Sequence, residues 1–142
     1  MRSQLRVNVQ DGAIRRLDDF AREFASHNEL STDDTARIRV VIEELAMNLI
    51  KYGYTFHAHF KGFAEVTLEL IAGQLTLEFL DNGEAFDPLD RVPSDLDQLL
   101  QSESVGGLGL YLVRGLVNLA QYNRTDGRNL TRLGWRISPR VS

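Results

Sequence analysis

The sequence predicts an α+β fold, a two-layer sandwich with helices on one face of a mainly antiparallel sheet. Helical and strand periodicities follow one another in the order βααββ, a long polar connection, then αββ. Two pairs of alternating segments are separated by so few residues that only tight hairpins join them. The length of 142 residues sets the number of cores. One domain of this size buries roughly two-thirds of its unfolded surface, whereas two domains would each be too small.

The opening LRVNVQ alternates apolar and polar residues as a strand does, and Asp11-Gly12 hands over to AIRRLDDFAREFASH. There Ile14, Leu17, Phe20, Ala21 and Phe24 recur at helical spacing. A second helix follows Ser31-Thr32-Asp33-Asp34, which supply caps and early acidic charge, and its apolar series Ile38, Val41, Ile42, Leu45, Leu49 runs towards Gly53. FAEVTLELIA and QLTLEFLD form the first hairpin, turning at Gly73. The polar, acidic stretch of residues 87–105 reads as a long functional loop. GGLGLYLVRGLVNLA is then a glycine turn opening a helix, and AQYNRT and LTRLGWRI make a second hairpin across Asp126-Gly127.

Composition narrows the function. With 43% hydrophobic and 25% charged residues the chain is of ordinary globular type, and a net charge of −4 gives no general reason to bind nucleic acid directly. It holds no cysteine, hence no disulfide or Cys-based zinc site. No run nears the roughly 18 apolar residues of a membrane span, and the start carries no signal-peptide core, so the expected location is cytoplasmic, with no membrane association.

Three places carry chemistry. In EELAMNLIKYGY, Glu44 and Asn48 lie roughly 40° apart on one helix flank while Glu43 points away. A carboxylate and a carboxamide so placed can orient a proton acceptor and ligate a hydrated Mg ion. Alone, the pair is more often a solvated flank. In LEFLDNGEAFDP, Asp81 ends an apolar strand, where it can accept a hydrogen bond from an amino group such as that of adenine, and Gly83 lets a flat ligand approach. Alone, Asp-Asn-Gly is more often a turn. In GGLGLYLV, Gly106, Gly107 and Gly109 precede a helix whose N-terminal amides suit a polyphosphate. This is neither a P-loop nor G-x-G-x-x-G.

Together and in this order, the three segments resemble the N, G1 and G2 boxes of the histidine-kinase-like (GHKL, Bergerat fold) ATPase superfamily. NLIKYGY, DNGEAFDP and GGLGLYLV are most similar to its anti-sigma-factor serine kinases. The resemblance implies one Bergerat domain over residues 1–142, with an ATP lid at about 87–105, and ATP and Mg2+ as cofactors. By position it makes Asn48 the Mg ligand, Glu44 the catalytic base and Asp81 the adenine-recognising residue, with Gly83 lining the pocket. Gly107, Leu108, Gly109 and Leu110 would hold the phosphates, and Thr131 would make a water-mediated contact. It implies a regulatory protein-serine kinase that phosphorylates a STAS-type anti-anti-sigma antagonist and otherwise sequesters a sigma factor, working as a homodimer in transcription regulation.

Ala85 stands where the superfamily often has glycine, so a restricted loop or a narrowed pocket edge is expected there; Arg91 is the one basic residue of the lid. A nucleotide-gated binding module without efficient transfer, and a detached histidine-kinase catalytic domain, are the alternatives. His27, His57 and His59 lack the following acidic residue of a phosphoacceptor helix, which weighs against the latter. His57 and His59 are read as surface residues; Phe20, Phe24, Tyr111 and Trp135 as core; and Arg15-Arg16 as a solvated pair.

Overall fold

The structure, a computed structural model, describes residues 1–52, 62–91 and 115–138. Their elements are β1 (Arg2–Asn8), α1 (Ala13–His27), α2 (Thr32–Tyr52), β2 (Phe63–Ile71), β3 (Gln74–Asp81), a 3-10 turn (Pro88–Arg91), β4 (Val117–Thr125) and β5 (Arg128–Arg136). The strands form one sheet in the order β1-β2-β3-β5-β4, with every neighbouring pair antiparallel.

The two helices supply one half of the core and the sheet the other. Leu17 and Phe24 of α1 and Ile38, Ile42 and Leu45 of α2 are buried together with Val66, Leu68, Leu77, Leu133 and Trp135. Each large apolar side chain so buried contributes about 1.5–3 kcal/mol. The opposite sheet face is laced with polar pairs, among them Arg6–Glu65 at 2.9 Å and Arg132–Glu78 at 3.1 Å. Alternation along each strand thus gives one face to the core and the other to water.

Both hairpins turn through two residues at positive φ: Ala72 (51°) and Gly73 (79°), then Asp126 (54°) and Gly127 (75°). That pattern suits the right-handed twist of the flanking strands. At the head of α2, Ser31 Oγ accepts a hydrogen bond from the Asp34 amide at 3.1 Å and donates one to the Asp34 carboxylate at 3.0 Å. Asp34 is more than an early acidic charge. It is fully buried, and it also receives Arg37 at 3.1 Å and the Ser138 amide beyond β5 at 2.8 Å.

The structure departs from the sequence expectation at two boundaries. Val117–Ala120, read from sequence as the end of a helix, belong to β4, where Val117 pairs with Trp135 and Leu119 with Gly134. Cross-strand pairing decides these residues against their helical periodicity. The first strand, read as residues 5–10, runs from Arg2 to Asn8 because its register against β2 joins Arg2 to Glu69 and Asn8 to Phe63.

Candidate functional site

The inward row of β3 reads Leu75, Leu77, Phe79, Asp81, and that of β5 reads Trp135, Leu133, Thr131, Asn129. Register places these residues opposite one another in pairs, ending with Phe79 against Thr131 and Asp81 against Asn129. Asp81 is 8% exposed and Asn129 and Thr131 3% each. The period-two row that builds the core therefore ends in three buried polar side chains. Above them α2 brings Leu45, Asn48 and Leu49, and the loop after β3 brings Glu84, Phe86 and Pro88, closing a cleft of about 20 Å³. Asn48, Asp81 and Thr131, singled out separately in sequence, meet on its walls.

Asp81 uses its two carboxylate oxygens differently. Oδ1 accepts from the Gly83 amide at 2.9 Å and from Asn129 Nδ2 at 2.9 Å. Among the described residues nothing donates to Oδ2, to the Asn48 amide or to the Thr131 hydroxyl. Burial raises the Asp81 pKa above its ordinary value, against the lowering influence of the bonds from Asn129 and Gly83 and of the nearby Arg124 charge. Glu84, on the same loop, is the other charged residue lining the cleft.

Gly83 is buried beside the cleft, its amide on Asp81 and its carbonyl receiving Arg124 NH1 at 2.7 Å. Glu44 is half-buried one turn before Asn48 and lies outside the cleft wall. Glu43 faces another way, into a groove of about 590 Å³ between the start of α1 and α2. Ala85 is exposed and no part of the cleft wall, so its methyl group does not narrow the pocket edge as expected from sequence. Gly107, Leu108, Gly109 and Leu110, most of the lid segment, His57, His59 and Tyr111 lie outside the described residues. Of the remaining expectations, Phe24 and Trp135 are core, Phe20 is partly buried against it, and Arg15 and Arg16 are exposed.

Sequence reasoning missed Asn129 and the two residues that hold it. Its Oδ1 accepts from the Tyr122 hydroxyl and from Arg124 NH1 at 3.0 Å, while its Nδ2 also reaches the Glu84 carbonyl at 2.8 Å. Next to a turn, asparagine reads as a turn residue. The signal that finds it is the alternation Asn129, Thr131, Leu133, Trp135, which puts it on the inward face.

The polar set suits a flat base carrying an amino group, for which the cleft, at about 20 Å³ the room of roughly one water, has to open. Such a base would meet the acceptor Oδ2 at the floor, with Leu45, Leu49, Phe79 and Phe86 as apolar walls. Mg2+ fits the Asn48 amide oxygen, since this ion is commonly held by few protein oxygens together with substrate phosphates.

Fold and site together define a nucleotide-binding domain, and the chain belongs to the family described as histidine kinase-like ATPase domain, whose model matches residues 7–135. It is similar to the serine/threonine-protein kinase BtrW of Bordetella bronchiseptica, 29% identical over 99 residues that cover 67% of this chain and 68% of that protein. In fold it is similar to a crystal structure of the RsbU and RsbW domains of Rv1364c from Mycobacterium tuberculosis. That match has a TM-score of 0.66 at 20% identity and covers 96% of this chain. This chain spans 32% of that one. Among the described residues no helix is long and apolar enough to cross a membrane.

Proposed function

We propose that this chain is a Mg-ATP-dependent protein-serine kinase of the anti-sigma-factor type. Its substrate is a serine of a STAS-type anti-anti-sigma protein, and in the other state of the switch it sequesters a sigma factor as a homodimer. One observation carries the nucleotide site: Asp81 Oδ2, the Asn48 amide and the Thr131 hydroxyl belong to a single cleft and none is bonded to a described residue. Asn48 is half-buried, and polar groups that line a cleft without a described partner can be met by a ligand. The kinase assignment adds the family and the likeness to BtrW, a serine/threonine-protein kinase.

In this reading Asp81 accepts the adenine amino group and Gly83 lines the base. Thr131 holds a bridging water, and the amides of Gly107, Leu108, Gly109 and Leu110 take the phosphates. Bound Mg-ATP supplies the phosphoryl group and the cation that spreads its charge. Glu44 would take the proton from the seryl hydroxyl as that oxygen bonds to the γ-phosphorus and the bond from that phosphorus to ADP breaks, ADP leaving, and Asn48 would hold the cation. Catalysis then rests on positioning and electrostatics. Residues 1–142 act as one domain, with the lid at about 87–105 closing over the nucleotide.

The test is to incubate the protein with γ-labelled Mg-ATP and each candidate STAS protein and to follow label onto a serine. Transfer to one such serine is expected. ATP binding without transfer to a partner that demonstrably binds would replace the kinase by a nucleotide-gated binding module.

A further inference from the structure

Asn129 lies in the cleft wall yet has nothing left with which to bind a ligand. Its amide has two N–H donors and one oxygen. The donors go to Asp81 Oδ1 at 2.9 Å and the Glu84 carbonyl at 2.8 Å, and the oxygen accepts from Tyr122 and Arg124. The amide's orientation follows from chemistry: a guanidinium only donates, so the oxygen must face Arg124 and the nitrogen must face Asp81. Whatever Asn129 does for a bound base it does through the aspartate.

A carboxylate at the end of a strand can turn about its last torsion unless one oxygen is held. Here Oδ1 is held twice, by the Gly83 amide on its own loop and by Asn129 on the neighbouring strand. Only Oδ2 is then left to face the cleft. The clamp extends to the loop itself, because Arg124 grips the Gly83 carbonyl at 2.7 Å while Asn129 grips that of Glu84. The β4–β5 hairpin thus fixes both the carboxylate and the backbone that carries it.

We infer that Asn129 is a positioning residue for base recognition, aiming Asp81 Oδ2 at the exocyclic amino group and so setting the preference for adenine. The inference rests on the proposed adenine reading of Asp81, and its test separates the two. Affinities of the full-length chain are measured by calorimetry for ATP and for purine riboside triphosphate, the same nucleotide without the amino group. Wild type is expected to prefer ATP by about 10- to 100-fold, the range for a hydrogen bond to a charged acceptor. Asn129→Leu, close in volume but without a donor, is expected to lose most of that preference, its ratio of the two affinities approaching that of Asp81→Ala. Asn129→Ser keeps a donor and should retain part of the preference. Folding is checked by the emission of Trp135, the one tryptophan of the chain; if the leucine variant does not fold, the serine variant carries the same comparison. A merely structural role would weaken both nucleotides alike and leave the preference intact, which would overturn the inference. A wild type with no preference would instead overturn the adenine reading of Asp81, and the role of Asn129 with it.

Discussion

The cleft at the end of β3 and β5 and the groove between α1 and α2 differ in the way that matters for binding. The groove is far roomier, about 590 Å³ against about 20 Å³. Two of its five charged residues are paired, Arg39 donating to Asp18 through Nε at 2.7 Å and through NH2 at 3.1 Å, and Asp11, Arg15 and Glu43 also line it. In the cleft Asp81, Asn129 and Thr131 are buried and Asn48 and Glu84 half-buried, and Asp81 Oδ2, the Asn48 amide and the Thr131 hydroxyl have no partner among the described residues. Volume alone is therefore a poor guide to a site, and buried polar side chains gathered at the end of an apolar row a better one.

The adjacent glutamates of α2 sharpen the contrast most, since one stands beside Asn48 and the other faces the groove. Glu44→Gln is expected to lower phosphoryl transfer by about 10²- to 10⁴-fold, the usual worth of a general base, with ATP affinity nearly unchanged. Glu43→Gln should leave both as they are. Equal losses from the two variants in a transfer assay would break the comparison. Asp81→Ala comes next, with ATP affinity expected to fall about five- to a hundred-fold, equivalent to about 1–3 kcal/mol for an unpaired polar group. Asp18→Ala, in the groove, should leave the titration curve in place.

Stability tests the same difference from the other side. Because burial raises the Asp81 pKa in the folded chain, its ionised form is disfavoured there relative to the unfolded chain. The penalty is present at neutral pH and disappears as pH falls through the raised folded value towards the ordinary one. Asp81→Asn should accordingly melt higher than wild type at neutral pH, with the gap closing on acidification. A gap that widens as pH falls would mean the carboxylate is net stabilised. The smallest effect belongs to the groove: Arg39→Met should change unfolding free energy by less than about 1 kcal/mol, and less still at high salt, as for other exposed ion pairs.

Much of this was legible because it is local. The 3.6-residue period of Ile14, Leu17, Ala21 and Phe24 marked α1 at the bounds observed, and Asp126-Gly127 marked a turn that needs two positive φ angles. Asn48 and Asp81 stood out by residue type at a helix flank and a strand end. What stayed hidden depends on pairing between distant segments. β1 ends where β2 stops matching it, Val117–Ala120 become strand because β5 is beside them, and Asn129 acquires meaning only opposite Asp81. Asp34 was read as a capping charge, since nothing near it in the chain announces the amide of Ser138.

That last contact has a mechanical consequence. Asp34 fastens the first turn of α2 to the chain just beyond β5, while Asn48 and Thr131 face one another across the cleft near the far ends of the same two elements. From Asp34 to Asn48 the helix forms an arm of about 21 Å, so a tilt of about 5° about that fastening parts the far ends by about 2 Å. A carboxylate remote from the cleft thus ties the strand that carries Thr131 to the helix that carries Asn48.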